Sequence, residues 1–164
     1  ANGAIVVPVK ASETLFGGLE KQRSLEKAAF ECGGKNYTAP AQSIKAFIEG
    51  KLDSSPLSST TYPCGLLPSN LHEWFDKEIA ESLAEGFLNF EKKIPGFINE
   101  GLIIAPETRT SSPLRIPRHP DTLESLNTRG LFLLGEGAGY SGGIVTSAAD
   151  GMRFAYRAKL SEKF

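Results

Sequence analysis

The chain has 164 residues, enough for one ordinary domain or one domain with a small appendage. Apolar residues make up 40% and charged residues 23%, so a packed core is expected and wholesale disorder is not. The 18 basic and 19 acidic residues leave a net charge of −1, which argues against a phosphate-tracking nucleic-acid surface.

The opening AIVVPV is β-rich and reads as a short strand with Pro8 near its end. Six apolar residues without a basic start do not make a signal peptide, and no run approaches the roughly 20 residues that span a bilayer. From Ser12 to Glu31 the spacing predicts a helix, with Leu15, Phe16, Leu19, Leu25, Ala28 and Ala29 near one face. Gly17-Gly18 weakens its first turns, so the ordered part is expected after them, and Gly33-Gly34 stops it. A second short helix is predicted over Ala41–Glu49, followed by an irregular Ser/Thr/Pro-rich connection over residues 51–68. The strongest helical signal runs from Ser69, a plausible N-cap, to Lys92. It sets Leu71, Trp74, Phe75, Ile79, Leu83 and Phe87 at three- and four-residue intervals before Pro95-Gly96.

Beyond Gly96 the texture changes. GLIIAP and PLRIP read as short strands and LFLLGE (residues 131–136) as a buried one. A closing helix over Ile144–Leu160 has Val145, Ala148, Ala149, Met152 and Tyr156 at helical spacing. Two cysteines, Cys32 and Cys64, have neither CxxC spacing nor a nearby His pair. No metal site is expected, and two free thiols in a reducing cytoplasm are the default reading. Cys64, among turn formers, is expected to be partly exposed and structural.

The chemistry concentrates in Gly135-Glu136-Gly137-Ala138-Gly139-Tyr140-Ser141-Gly142-Gly143, where five glycines follow an apolar run and precede a helix. Stripped of side chains, such a turn lets a ligand approach the backbone, and the amides at the helix start attract an anion. A Walker A loop needs Gly-Lys-Ser/Thr, and this turn offers Gly-Gly-Ile. G-x-G-x-x-G is met by Gly137, Gly139 and Gly142, but the second strand and acidic residue of a self-sufficient dinucleotide unit do not follow. Glu136 offers an acceptor-only carboxylate suited to sugar-like hydroxyls. Arg109, Arg115, Arg118 and His119 gather within eleven residues, followed by Arg129. They read either as an anion-facing patch or as solvated loop residues. His119 reads as solvent-exposed, and His72 as a plain surface histidine.

GLIIAPETRTSSPLRI, TLES and GLFLLGEGAGYSGGIVTSAADG, with NYTAPAQ and IPGF before them, closely resemble a known family. It is the C-terminal portion of uncharacterised FAD-dependent dehydrogenases of the two-dinucleotide-binding-domain flavoprotein group. The resemblance implies an α+β architecture. A helical inserted domain with short strands would occupy residues 1–117 (helical half 12–92) on the substrate side. A C-terminal FAD-binding segment, residues 118–164, would place its strand, glycine turn and helix on a Rossmann-like FAD domain outside this chain.

Gly135 and Glu136 would then lie at the FAD ribitol and pyrophosphate, Glu136 standing where many relatives have Asp. Gly137, Gly142, Gly143 and Ile144 would complete the turn and aim helix amides at the flavin pyrimidine ring. Arg109, Thr110 and Ser111 would face the flavin near a small-molecule substrate. The resemblance names no catalytic residue. It implies a longer, cytoplasmic oxidoreductase whose N-terminal FAD-binding domain is this chain's main partner, with no nucleic acid or membrane involved. The chain by itself is expected to be inactive, to bind FAD weakly and to pair as a homodimer over its exposed apolar face. A reading from another class is a partner-binding or dimerisation module whose glycine turn holds a nucleotide phosphate or other anion.

Overall fold

A computed structural model describes residues 3–10 and 13–161, with Leu160 and Ser161 described by their backbone alone. The predicted Ser12 N-terminus of the first helix lies outside the described residues. The chain divides into two compact units. One comprises residues 23–108 with the described part of 1–11, and the other residues 109–161 with the described part of 12–22. Helix α1, Gly17–Cys32, supplies residues to both. It starts at Gly17 itself, contrary to the expectation that the paired glycines would delay it. At its other end Gly34 adopts φ +88° and the Lys35 amide reaches back to the Phe30 carbonyl at 2.9 Å, closing the helix as a glycine cap does.

In the first unit, strand β1 (Ala39–Ser43) is central in a mixed sheet of order β2-β1-β3. It runs parallel to β2 (Leu66–Pro68) and antiparallel to β3 (Leu102–Ile104). Part of the segment predicted as the helix Ala41–Glu49 is therefore strand. Helix α2 spans only Ile44–Ile48, with the Ser43 hydroxyl accepting from the Ala46 amide at 3.1 Å as its N-cap. The opening segment, residues 3–10, forms no strand, a correction to the predicted strand. Its alternation survives, because Ile5 and Val7 pack against the core while Val6 and Val9 face outward.

The predicted helix Ser69–Lys92 is also interrupted. A 3₁₀ turn at Leu71–Glu73 precedes α3, Lys77–Glu91, and Asp76 occupies the N-cap position. The cause lies upstream. The Ser69 amide continues the sheet by bonding the Ala41 carbonyl, and the Leu71 amide is taken by the side chain of Gln42, so an α-helix cannot start there. Gln42 is fully buried and satisfied at both ends, its Nε2 donating to the Lys51 carbonyl at 2.6 Å.

The core of this unit is Ile44, Phe47, Leu71, Ala80, Leu83 and Phe87. Phe47 is its hub, stacked on His72 with ring centres 4.4 Å apart and edge-on to Phe75 and Phe87. His72 is thus half-buried and hydrogen-bonds the Phe47 carbonyl through Nε2 at 2.7 Å, a correction to the surface histidine expected. Helix α4, Phe97–Glu100, is capped by Glu91, whose carboxylate accepts from the amides of Gly96 and Ile98. Those two backbone bonds hold the Glu91 carboxyl below the usual carboxylate range.

In the second unit, helix α5 (Ile144–Ser161) forms as predicted. PLRIP does not form a strand, and Leu131–Leu134 forms no ladder: Phe132 makes a single bridge to Glu124. Neither stretch has a neighbouring strand in register among the described residues, so the apolar run stays half-exposed where a buried strand was expected. The unit is organised instead by turns over residues 118–140 and by one face of α5. Ser147, Asp150, Gly151, Phe154 and Arg157 form the sheltered side, and the Phe154 ring lies 4.8 Å from that of Phe132. The apolar stripe predicted for this helix faces away: Val145 is 79% exposed, Met152 73% and Tyr156 68%. Among the described residues, no helix is long and apolar enough to cross a membrane.

Candidate functional site

The glycine-rich turn is shaped by two positive φ angles and one steric limit. Gly135 sits at φ +75° and Gly139 at φ +80°, conformations that side-chain-bearing residues avoid. At Gly139 a Cβ would overlap the Leu114 carbonyl oxygen and lie 2.9 Å from the Arg115 Cα. The amide of Gly139 bonds the Glu136 carbonyl at 2.8 Å and that of Tyr140 bonds Gly135, closing the loop on itself. Gly137 and Gly142 differ, since a Cβ on either would meet nothing within 4 Å. Gly139→Ala should therefore destabilise the chain by about 2–4 kcal/mol, and Gly137→Ala should change stability by less than about 0.5 kcal/mol, as read from urea midpoints.

Beneath the turn lies a buried ion pair that sequence reasoning missed. Arg118 and Asp150 are 8% and 7% exposed and meet as a two-pronged fork, with both N–H···O distances 2.7 Å. Arg118 Nη1 also donates to the Leu133 carbonyl at 2.7 Å, and Asp150 Oδ2 accepts the Gly135 amide at 2.9 Å. The Tyr140 ring lies 3.7 Å beneath the Arg118 guanidinium and 4.5 Å from that of Arg115. Its hydroxyl accepts the Arg118 amide at 3.1 Å. The Arg118 hydrogen bonds lower the Asp150 carboxyl from the ordinary 3.8 to about 2, against the opposing effect of burial.

Arg118 is therefore neither a free anion-facing group nor a solvated loop residue, the two alternatives open for it. The signal available was a lone carboxylate within α5, on the face opposite the apolar stripe. His119 is exposed as expected, and its Nδ1 accepts the amides of Asp121 and Thr122.

Of the predicted cofactor residues, Gly135 is buried with its amide on Asp150, and the others sit at the open end of this arrangement. Glu136 is half-buried, and its carboxylate has no hydrogen-bond or ion-pair partner among the described residues. Gly143 precedes the first turn of α5, where its carbonyl accepts from the Ser147 amide, and Ile144 is 90% exposed. The amides of this first turn have no acceptor within the helix. Arg109, Thr110 and Ser111 are exposed, and the adjoining Ser112 hydroxyl reaches the Leu114 and Gly137 carbonyls at 2.8 and 3.4 Å. That seats the Thr-Ser-Ser stretch beside the glycine turn. Bare backbone at Gly137 and Gly142, helix amides without acceptors and an unpaired carboxylate fit a phosphorylated, hydroxyl-rich cofactor. Among the described residues, no group of three His, Cys, Asp or Glu side chains could hold a metal ion.

The chain is similar to known proteins. A protein of Clostridium beijerinckii, described as uncharacterised, is 41% identical over 172 residues, covering all of this chain and 31% of the relative. The chain thus spans under a third of the length of that relative. Residues 1–110 match a family model described as FAD-dependent protein, C-terminal domain-like, and the match stops short of the glycine turn. The chain belongs to this family of FAD-dependent protein C-terminal domains.

Proposed function

We propose that this chain is the C-terminal part of an FAD-dependent oxidoreductase of dehydrogenase type and completes its flavin site. The observation that carries this reading is the bare backbone at Gly137 and Gly142 ahead of α5, in the same turn as the unpaired Glu136. Bound flavin supplies hydride transfer at its N5, and the protein supplies placement and electrostatics.

The residues divide that work. Glu136 would accept hydrogen bonds from ribitol hydroxyls and Gly137 would let the pyrophosphate approach the backbone, while Gly135, buried with its amide on Asp150, would hold the shape of the turn. Gly142, Gly143 and Ile144 turn helix amides toward the flavin pyrimidine, favouring negative charge there. Arg109, Thr110 and Ser111 flank the substrate. Residues 118–164 form the cofactor segment and residues 1–117 the inserted, substrate-side portion. The outward apolar stripe of α5 packs on the remainder of the flavin domain, and in the isolated chain it pairs two copies. Free thiols at Cys32 and Cys64 suit a cytoplasmic protein.

In the intact flavoprotein, Glu136→Ala should weaken FAD binding roughly tenfold, the equivalent of about 1.4 kcal/mol. Flavin retained through gel filtration, quantified by absorbance, measures this. Unchanged flavin content in the variant would reject the assignment of Glu136, and a colourless wild-type protein that takes up no FAD would reject the function.

A further inference from the structure

We infer that Arg118 and Asp150 are positioning residues for the cofactor, acting through the glycine turn; this rests on reading that turn as the flavin site. Between them the two side chains hold two pieces of backbone. Arg118 Nη1 fixes the Leu133 carbonyl two residues before the turn, and Asp150 Oδ2 fixes the amide of Gly135 at its first residue. Asp150 itself belongs to α5, so the same carboxylate ties the helix head to the turn. The far end is held as well. The Tyr140 hydroxyl accepts from the Arg118 amide, its ring packs on the guanidinium, and its own amide returns to the Gly135 carbonyl at 3.3 Å. Glu136 and Gly137 thus sit on a loop whose two ends are fastened to one buried fork.

The charge of that fork points past simple stabilisation. A buried ion pair is a weak source of stability compared with well-packed apolar residues, but it fixes geometry through several directional bonds at once. Here those bonds go to the backbone that presents Glu136, and they bring a balanced pair of charges beneath the turn. Changing the sum of those charges should alter the electrostatic surroundings of a bound flavin, whereas changing only their shape should alter its affinity.

The test uses the intact flavoprotein and three forms of it: wild type, Asp150→Asn and Arg118→Lys. Flavin dissociation constants, flavin reduction potentials and apoprotein melting temperatures are measured for each. The Asp150→Asn variant keeps an acceptor for the Gly135 amide but leaves Arg118 uncompensated. The expected result is flavin binding about tenfold weaker and a more positive reduction potential, because reduced, negatively charged flavin gains an unbalanced cation. The Arg118→Lys variant keeps the charge and loses the fork, so affinity should fall while the potential stays near wild type.

Variants that lower the melting temperature but bind flavin with wild-type affinity and potential would overturn the inference, leaving the pair a structural one. Equal potential changes in both variants would overturn it too. If Asp150→Asn does not fold, Arg118→Lys decides: unchanged flavin affinity rejects the positioning role and weakened affinity at unchanged potential supports it. A wild-type protein that takes up no flavin defeats the proposed function itself, and with it this inference, before any variant is compared.

Discussion

Replacing Arg118 by Met should destabilise the unit that contains the glycine turn by about 3–5 kcal/mol, because Asp150 is left buried and unpaired. The loss is read from hydrogen exchange of the Gly135 amide, which donates to Asp150, and from urea unfolding. The pH dependence gives the mechanism a sign. In the wild type the Asp150 carboxyl lies at about 2, below its ordinary 3.8. The ion pair therefore contributes fully above about pH 4–5 and is lost as pH falls through about 2, a contribution of roughly 2 kcal/mol. In Arg118→Met the carboxyl has lost the partner that lowered it and protonates more readily. The deficit relative to wild type should narrow toward acid pH. A deficit that stays constant from pH 7 to pH 3 would mean that lost packing, not lost charge pairing, is responsible. Replacing Asp150 by Leu in the same chain should restore part of the stability at neutral pH, since no charge then remains buried.

Phe47→Ala should have an effect of similar size in the other unit, about 3–5 kcal/mol, through the cavity it opens. Phe47 is fully buried and touches three aromatic rings contributed by the 3₁₀ turn, the segment after it and α3. Its loss removes the stacking partner of His72 and the central contact of the cluster. Trp74 is the single tryptophan and lies 4.5 Å from the Phe75 ring, so its fluorescence reports unfolding of this cluster. A fall in the urea midpoint too small to account for about 2 kcal/mol would show that the neighbouring rings close the space.

What could be read from the sequence, and what could not, follows the range of the interactions. Helices α1 and α5 were legible because periodicity and terminal glycines are local. The Gly33-Gly34 stop is set by backbone angles within a few residues, and it is observed. Strand β1 was illegible because APAQS has no β-branched residue. It becomes a strand by pairing with residues 66–68 and 102–104, and its own Gln42 then displaces the predicted start of the next helix. The Arg118–Asp150 pair spans 32 positions, and beyond the lone carboxylate of α5 nothing local marks it. Glycine content located the turn but could not separate the glycine the fold requires, Gly139, from those left bare, Gly137 and Gly142. Periodicity found the apolar stripe of α5, and the exposed apolar face expected of this chain is observed on that helix. A repeat fixes which residues share a face, not what that face meets.

That helix has a consequence for how the molecule behaves in bulk. Its polar residues Ser147, Asp150 and Arg157 are turned toward the protein, while Val145, Met152 and Tyr156 are turned toward water. With a net charge of only −1, little Coulombic repulsion holds two copies apart. That strip therefore adds to the tendency of copies to associate, and whatever shields it should raise the concentration a solution can hold.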